Sequence, residues 1–324
     1  MNIISKENAK AFLFFNAFLW GSSYVWSKML LSYLPHFMIL FLSSLGGLIT
    51  ITILYYKKIK TIKKQSLLRC IFISSLSIIS NTFFMFALQY TDSYNAAFIV
   101  QLSVVITPLI ITCFKKRLPE GRVVVSAVGA LAGIFLLNFD AKGFQFNIGD
   151  LLALGNAVFF SLYLASLKIN SKRIDPVQFT FIQHAVNTPV YLLLAFLLET
   201  GNIRLENMKS APLIILITVS IFITVFTILI QSSAIKYVQA EKAVLIYTIE
   251  PVTAMILGLF FLGEKPEGFG AITGCILIIF SIMISLYEPQ YQQEKHYKGE
   301  MQNRGEKRKK EGSRAMSRVF VEKL

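Results

Sequence analysis

Charge is what this chain has least of. Only 15% of its 324 residues are Asp, Glu, Lys or Arg, against about 25% in ordinary globular domains, so a disordered chain is excluded and a water-soluble enzyme is not expected. Acidic residues are scarcer still, 18 against 32 Lys and Arg, for a net charge of +14. Cysteine is down to Cys70, Cys113 and Cys275, far apart and without CxxC spacing. They imply neither a disulfide framework nor a zinc site, and each reads as a small packing residue. Also missing are HExxH, GxSxG and Walker-type motifs, and no apolar stretch pairs two close acidic residues. Metal hydrolysis, acyl transfer and ATP-driven work therefore have no visible equipment. The chain is expected not to be an enzyme and to use no cofactor or metal.

What fills the space is apolar: 55% of the residues are aliphatic, aromatic, Met or Cys. They gather in stretches of roughly 20, the length that carries a helix across a hydrocarbon core of about 30 Å. Ten such spans are read, 11–31, 38–56, 67–89, 95–114, 123–137, 150–167, 177–198, 212–235, 241–262 and 269–287. Alternating apolar and polar strands are absent, so a barrel is set aside and each span must satisfy its backbone as helix. Lys6 and Lys10 precede the first span as they would a signal peptide. That span is too long for a usual signal core and lacks a small-residue cleavage site, so it reads as the first helix. Connections are mostly short. The stretch 288–324 is polar and charge-rich, with Glu306 to Glu311 at its centre, and is predicted to be disordered.

Placing the cations turns net charge into orientation. Counting Lys and Arg alone, 27 fall on the N-terminal residues 1–10, alternate loops with the span ends that adjoin them, and the tail, 4 on the other loops, and Lys28 lies inside the first span. This asymmetry predicts a multi-pass protein of the cell (inner) membrane with both termini cytoplasmic. The lipid bilayer is then the expected partner, nucleic acid is not, and the basic tail is expected to stay solvated. The oligomeric state is left open.

Ten helices divide into five and five, and because five is odd the second set must enter from the opposite face. The expected architecture is thus all-α and polytopic, ten transmembrane helices as two inverted five-helix repeats, 11–139 and 149–287. Identities across the halves are sparse: Asn16-Ala17 with Asn156-Ala157 and Lys28 with Lys168 at an offset of 140, and Tyr90 and Ala96 with Tyr237 and Ala243 at 147. The Gly129-x-x-x-Gly133 and Gly270-x-x-x-Gly274 pairs, offset by 141, read as close-packing sites.

The pattern Trp20-Gly21-Ser22-Ser23-Tyr24-Val25-Trp26-Ser27-Lys28, then Ala96-Ala97-Phe98-Ile99 followed by Pro108, then Glu250-Pro251 followed by Gly263-Glu264, resembles the EamA domains of the drug/metabolite transporter superfamily. The resemblance covers about 11–287. It implies two inverted five-helix bundles around a central cavity and transport of small organic solutes such as amino acids, other metabolites or drugs. The chain departs from the pattern at Phe41-Leu42-Ser43-Ser44, where an arginine is often found. It departs again at Lys115-Lys116-Arg117, which replaces a glycine-glutamate after the fourth helix. These departures leave the solute's charge preference open.

Polar groups inside spans are costly unless they face a cavity or a partner. Asn16, Trp20, Tyr24 and Ser27 form a stripe on the first helix, and Asn156, Phe160 and Tyr163 a similar stripe on the sixth. Asn81, Gln101, His184, Asn187 and Tyr247 add polar groups to the third, fourth, seventh and ninth. Together they are candidates to line a cavity for a small-molecule substrate; taken singly, each asparagine is as readily an interhelical packing bond. Glu250, nine residues into the ninth span and about 14 Å along it, is the candidate proton or amine site. Its alternative role is to satisfy carbonyls freed by Pro251. Pro108 and Pro251 are candidate hinges, and Lys28 and Lys168 read as interface anchors. A coupling proton is one expected partner. The expected activity is secondary active transport by alternating access, the alternatives being a channel or a polytopic protein without transport.

Overall fold

The computed structural model describes residues 4–5, 7–62, 64–114, 121–137, 139–140, 143–144, 147–199, 211–238, 243, 246–247, 249–264 and 268–286. In chain order the helices are α1 (Ala9–Leu31), α2 (His36–Ile59), α3 (Lys64–Tyr90), α4 (Ser93–Val100), α5 (Ser103–Phe114) and α6 (Gly121–Leu137). They continue as α7 (Ile148–Asn170), α8 (Pro176–Leu198), α9 (Ala211–Ala234), α10 (Ile249–Phe261) and α11 (Gly268–Leu286). Between α6 and α7 a two-residue antiparallel pair, β1 (Phe139–Asp140) on β2 (Gly143–Phe144), is the one strand pair among the described residues. The tail 288–324 and the start of the ninth span at Glu241 lie outside the described residues.

Among the described residues six helical runs are long and apolar enough to cross a membrane: His36–Ile59, Ser66–Tyr90, Ser93–Ile110, Ile148–Asn170, Pro176–Leu198 and Ala211–Ala234. The bundle's outer surface carries large apolar side chains, among them Phe14, Phe18, Ile53, Phe196, Leu197 and Phe260. In water such a surface would aggregate; in lipid it is the solvated face.

Two helices are capped at their starts by the side chain of the N-cap residue. Asn147 accepts from the Asp150 amide while the Asp150 carboxylate accepts from the Asn147 amide, a capping box that starts α7. Asp175 accepts from the Val177 and Gln178 amides ahead of Pro176 at the start of α8. At α2 the cap comes from far along the chain. Glu199, just past α8, accepts from the amides of Phe37 (2.9 Å) and Met38 (3.0 Å), placing an anion at the positive end of that helix.

The fourth span is two helices rather than one. Its break lies at Gln101–Leu102, bridged by tight bonds from Val104 to Gln101 and from Val105 to Leu102. Pro108 sits further on, inside the continuous α5. A proline frees the carbonyl four residues before it, here Val104, so its effect falls past the break. Pro251 frees the carbonyl of Tyr247, four residues before it, and Gln101 of the fourth span donates to that carbonyl at 2.7 Å.

The helices interlock across the two halves of the chain: α3 packs on α7, α2 on α8, and α1 on α9 and α10. Two apolar layers hold them together. One joins Ile73 of α3, Leu164 and Leu167 of α7, Phe179 of α8 and Ile228 of α9. The other joins Leu30 of α1, Ile39 of α2, Met85 of α3 and Leu216 of α9. Twelve residues separate Ile73 from Met85 on α3, and twelve separate Leu216 from Ile228 on α9, so the layers stand about 18 Å apart.

Candidate functional site

Between those layers lies a cavity of about 80 Å³, walled by α1, α2, α3, α7, α8 and α9. Met85 and Ile39 form its boundary with one layer, Tyr163 and Ile228 its boundary with the other. Five of the ten sequence candidates line it: Trp20, Asn81, Tyr163, His184 and Asn187.

Each side chain is held by a neighbour. Asn81 donates to the Tyr191 hydroxyl (3.3 Å), Tyr163 donates to Gln183 Oε1 (3.3 Å), and Asn187 Nδ2 donates to Ser77 Oγ (3.4 Å). His184 lies against Gly47 of α2, where a Cβ would stand 2.4 Å from ring atom Cε1. Its Nδ1 faces Ser44 Oγ at 3.4 Å, and Thr188 donates to the same hydroxyl (3.2 Å). Ser43 and Ser220 share a 2.7 Å bond between α2 and α9. The rings of Trp20 and Phe160 meet edge-on at 6.4 Å, and Phe160 stacks on Tyr163 at 6.1 Å. No Asp, Glu, Lys or Arg lines the cavity among the described residues.

The remaining candidates are placed elsewhere. Asn156 is one contact behind the wall, accepting from the lining Ser80 at 2.6 Å. Tyr24 turns its ring edge-on to Phe84 at 5.0 Å. Asn16, Gln101 and Tyr247 form a second polar group with Gln231: both Asn16 and Gln231 donate to the Tyr247 hydroxyl at 3.2 Å, and Gln101 donates to the Tyr247 carbonyl at 2.7 Å. Glu250 is buried in the first turn of α10, with Oε1 unpaired among the described residues. It is not part of the cavity lining, and its backbone packs against Gly21 of α1.

Sequence reasoning passed over the hydroxyls. Ser43, Ser44, Ser77, Ser80, Ser220 and Thr224 all line the cavity, and their signal was present in the spacings Ser77, Ser80, Asn81 and Ser220, Thr224. Gln183, next to His184, was missed as well; Tyr191, on the same helix as His184 and Asn187, also lines the cavity. Trp26 also lines the cavity and packs edge-on to Phe261 at 4.9 Å.

The two lysines expected as interface anchors are tied into the bundle. Lys28 donates to the Thr91 carbonyl (2.9 Å) and to Glu264 (2.6 Å), with Asp92 at 3.3 Å. Glu264 in turn accepts from the Ser93 amide and hydroxyl at the start of α4. It follows Gly263, whose φ of 69° needs the freedom of glycine. Lys168 donates to the carbonyls of Ile235 (2.8 Å) and Val238 (2.7 Å). The chain reverses direction at such helix ends, leaving carbonyls without helical partners that the ammonium groups satisfy. Among the described residues no three His, Cys, Asp or Glu side chains converge as a metal site.

The EamA-like transporter family matches this chain twice, over residues 9–139 and 147–287. An uncharacterised transporter of Archaeoglobus fulgidus is 28% identical over 214 residues, 65% of this chain and 66% of the relative. The uncharacterised transporter YvbV of Bacillus subtilis is 23% identical over 291 residues, 88% of this chain and 93% of the relative. A solved crystal structure at 18% identity superposes with a TM-score of 0.64 over 87% of this chain and 97% of its own, a likeness of fold. With both halves matched and several helices long enough to span a bilayer, the chain is a multi-pass membrane protein belonging to the EamA-like transporter family.

Proposed function

We propose that the protein is a secondary active transporter of small organic solutes, of the size of amino acids, amines and related metabolites or drugs, working by alternating access. The observation that carries this reading is a polar and aromatic cavity held between two apolar layers, with walls drawn from both halves of the chain. A carrier needs such a site, closed in turn by one layer or the other.

The same reading takes ten transmembrane helices as two inverted repeats, 11–139 and 149–287, in the cell membrane. Residues 1–10 and the tail 288–324 are both cytoplasmic. The packing pattern supports it: α1 lies on α9 as α7 lies on α3, and α2 lies on α8. Trp20, Asn81, Tyr163, His184 and Asn187 are assigned to solute contact, and Tyr24, Asn156 and Gln101 to holding the walls. Glu250, shielded from the cavity and with an unpaired oxygen, is assigned to a coupling proton rather than to a substrate amine. Pro108 and Pro251 are the proposed hinges.

Purified protein in proteoliposomes tests this. Saturable flux, accelerated by solute on the opposite side, is expected; conductance without saturation or trans-acceleration would make it a channel. Glu250→Gln is expected to abolish the pH dependence of flux while Glu250→Asp retains it, and unchanged pH dependence and rate in Glu250→Gln would end the proton assignment.

A further inference from the structure

The cavity carries information about its solute in the atoms left without partners. Trp20 Nε1, Asn187 Oδ1 and His184 Nε2 are buried and unpaired among the described residues, and all three residues line the cavity. Their other polar atoms are engaged: Asn187 Nδ2 on Ser77, His184 Nδ1 beside Ser44. Asn187 and His184 are thus each held through one polar atom with the other unpaired, while Trp20 is held by the edge contact of its ring with Phe160. Buried polar atoms inside a bilayer-spanning bundle are satisfied by water or by the solute that displaces it. One of the three is a donor only, the indole N–H, and one an acceptor only, the amide oxygen.

The hydroxyls lead elsewhere. Ser23 donates to the Trp20 carbonyl, Ser43 is bonded to Ser220, Ser77 donates to the Ser74 carbonyl, Ser80 donates to Asn156, and Thr224 donates to the Ser220 carbonyl. With their protons engaged, these hydroxyls offer a solute chiefly acceptor lone pairs. Full charges are not matched, since no Asp, Glu, Lys or Arg lines the space among the described residues, and an unpaired charge in such a site costs several kcal/mol. Helix termini do not compensate: neither the α4–α5 break at Gln101–Leu102 nor the first turn of α10 is part of the lining. The rings of Trp20, Phe84, Phe160 and Tyr163 supply apolar faces for a flat molecule.

We propose that the solute is an uncharged heteroaromatic molecule bearing an amide or lactam edge, whose carbonyl accepts from Trp20 Nε1 and whose N–H donates to Asn187 Oδ1. This rests on the carrier reading above and narrows its solute. His184 Nε2 supplies the third contact, as donor or acceptor according to its tautomer.

The test uses the full chain in proteoliposomes, with binding read by thermal shift and transport by counterflow. The probes are nicotinamide, uracil and hypoxanthine, with nicotinate, 3-picolylamine and phenylalanine as anion, cation and zwitterion, and 3-picoline as a ring without the edge. At least one of the three neutral amides is expected to bind and exchange saturably. Trp20→Phe and Asn187→Leu should each weaken it about tenfold, the effect of about 1.4 kcal/mol for one lost hydrogen bond. Thermal midpoints of the unliganded variants close to wild type separate loss of the edge contacts from loss of the fold. Three results overturn the inference: no binding by any of the three neutral amides, saturable exchange of the charged probes alone, or neutral binding within twofold of wild type in both variants. Exchange of charged probes alone would leave the carrier reading standing, whereas non-saturating conductance would remove that reading itself.

Discussion

Gly21 is where α1 comes closest to α10, and replacing it is the sharpest test of the packing around Glu250. A Cβ at residue 21 would stand 2.6 Å from the Glu250 carbonyl oxygen, 2.7 Å from Thr253 Cβ and 2.9 Å from Glu250 Cα. Two of these atoms are backbone, so no side-chain rotation relieves the clash. Ordinary contact begins at 3.4 Å, and the helices must part by about 0.8 Å to restore it. Overpacking of this kind typically costs about 1–3 kcal/mol. Gly21→Ala is therefore expected to lower the thermal midpoint of the detergent-purified protein and to slow flux in proteoliposomes, since the displaced segment carries Glu250. Gly121→Ala is the control: a Cβ there meets nothing within 4 Å, and alanine is the better helix former, so stability should be unchanged or slightly higher. Equal midpoints and fluxes for the Gly21 and Gly121 variants would refute the close approach of α1 to α10.

Gly47→Ala acts on a softer neighbour, pushing the His184 ring from its place beside α2; flux should fall severalfold with a small change in thermal midpoint, and a normal rate would show that the ring's position is immaterial. Lys28→Met leaves the Glu264 carboxylate, 7% exposed, without its cation. With Lys28 itself 24% exposed, solvent screening holds the expected loss to about 1–2 kcal/mol; a double-mutant cycle with Glu264→Gln should show that coupling, and additive effects would deny it. Burial pushes the Glu199 carboxyl above the usual carboxylate range, against the opposing pull of the Phe37 and Met38 amides. A raised folded value means that its stabilisation is full below about pH 4.3, the unfolded value, and is lost as pH rises through the folded one. Thermal midpoints measured from pH 4 to 7 should therefore decline in wild type and flatten over that window in Glu199→Gln; parallel curves would contradict the burial.

Among the described residues six of the expected spans are helices long and apolar enough to cross a membrane, and half of the cavity candidates line the cavity; the reasons differ. Apolar length is a local property, so the helices containing Asn81, Tyr163 and His184 were legible from hydropathy alone. Which neighbour a polar residue meets is not local. Asn16 and Trp20 share one stripe on α1, yet Trp20 faces the cavity while Asn16 bonds Tyr247, 231 residues away. A helix packed on several sides sends adjacent positions of a stripe to different partners. The break at Gln101–Leu102 was hidden because no Pro or Gly marks it; a tertiary bond from Gln101 to the Tyr247 carbonyl accompanies it. The serines were overlooked because their short side chains readily bond their own helix, as Ser74 does to Cys70, so composition alone does not separate a lining serine from an idle one.

Lys28 and Lys168 bring the scattered identities between the halves into physical focus. An offset of 140 relates the two lysines, and the 147 that relates Tyr90 to Tyr237 also relates Thr91 to Val238. Lys28 donates to the Thr91 carbonyl and Lys168 to the Val238 carbonyl. Each ties the end of the first helix of its half to the chain just beyond the third. The two offsets differ because a half can lengthen in its loops without disturbing this contact, which depends on where helix ends meet and not on register. Under the inverted-repeat reading the two ties lie on opposite faces of the membrane. The one at Lys28 gains Glu264 and Asp92, and through Glu264 it reaches the first turn of α4. One contact, used twice, thus supports the inverted-repeat reading more directly than the identities do, and the acidic partners at Lys28 add a link from α1 to α4.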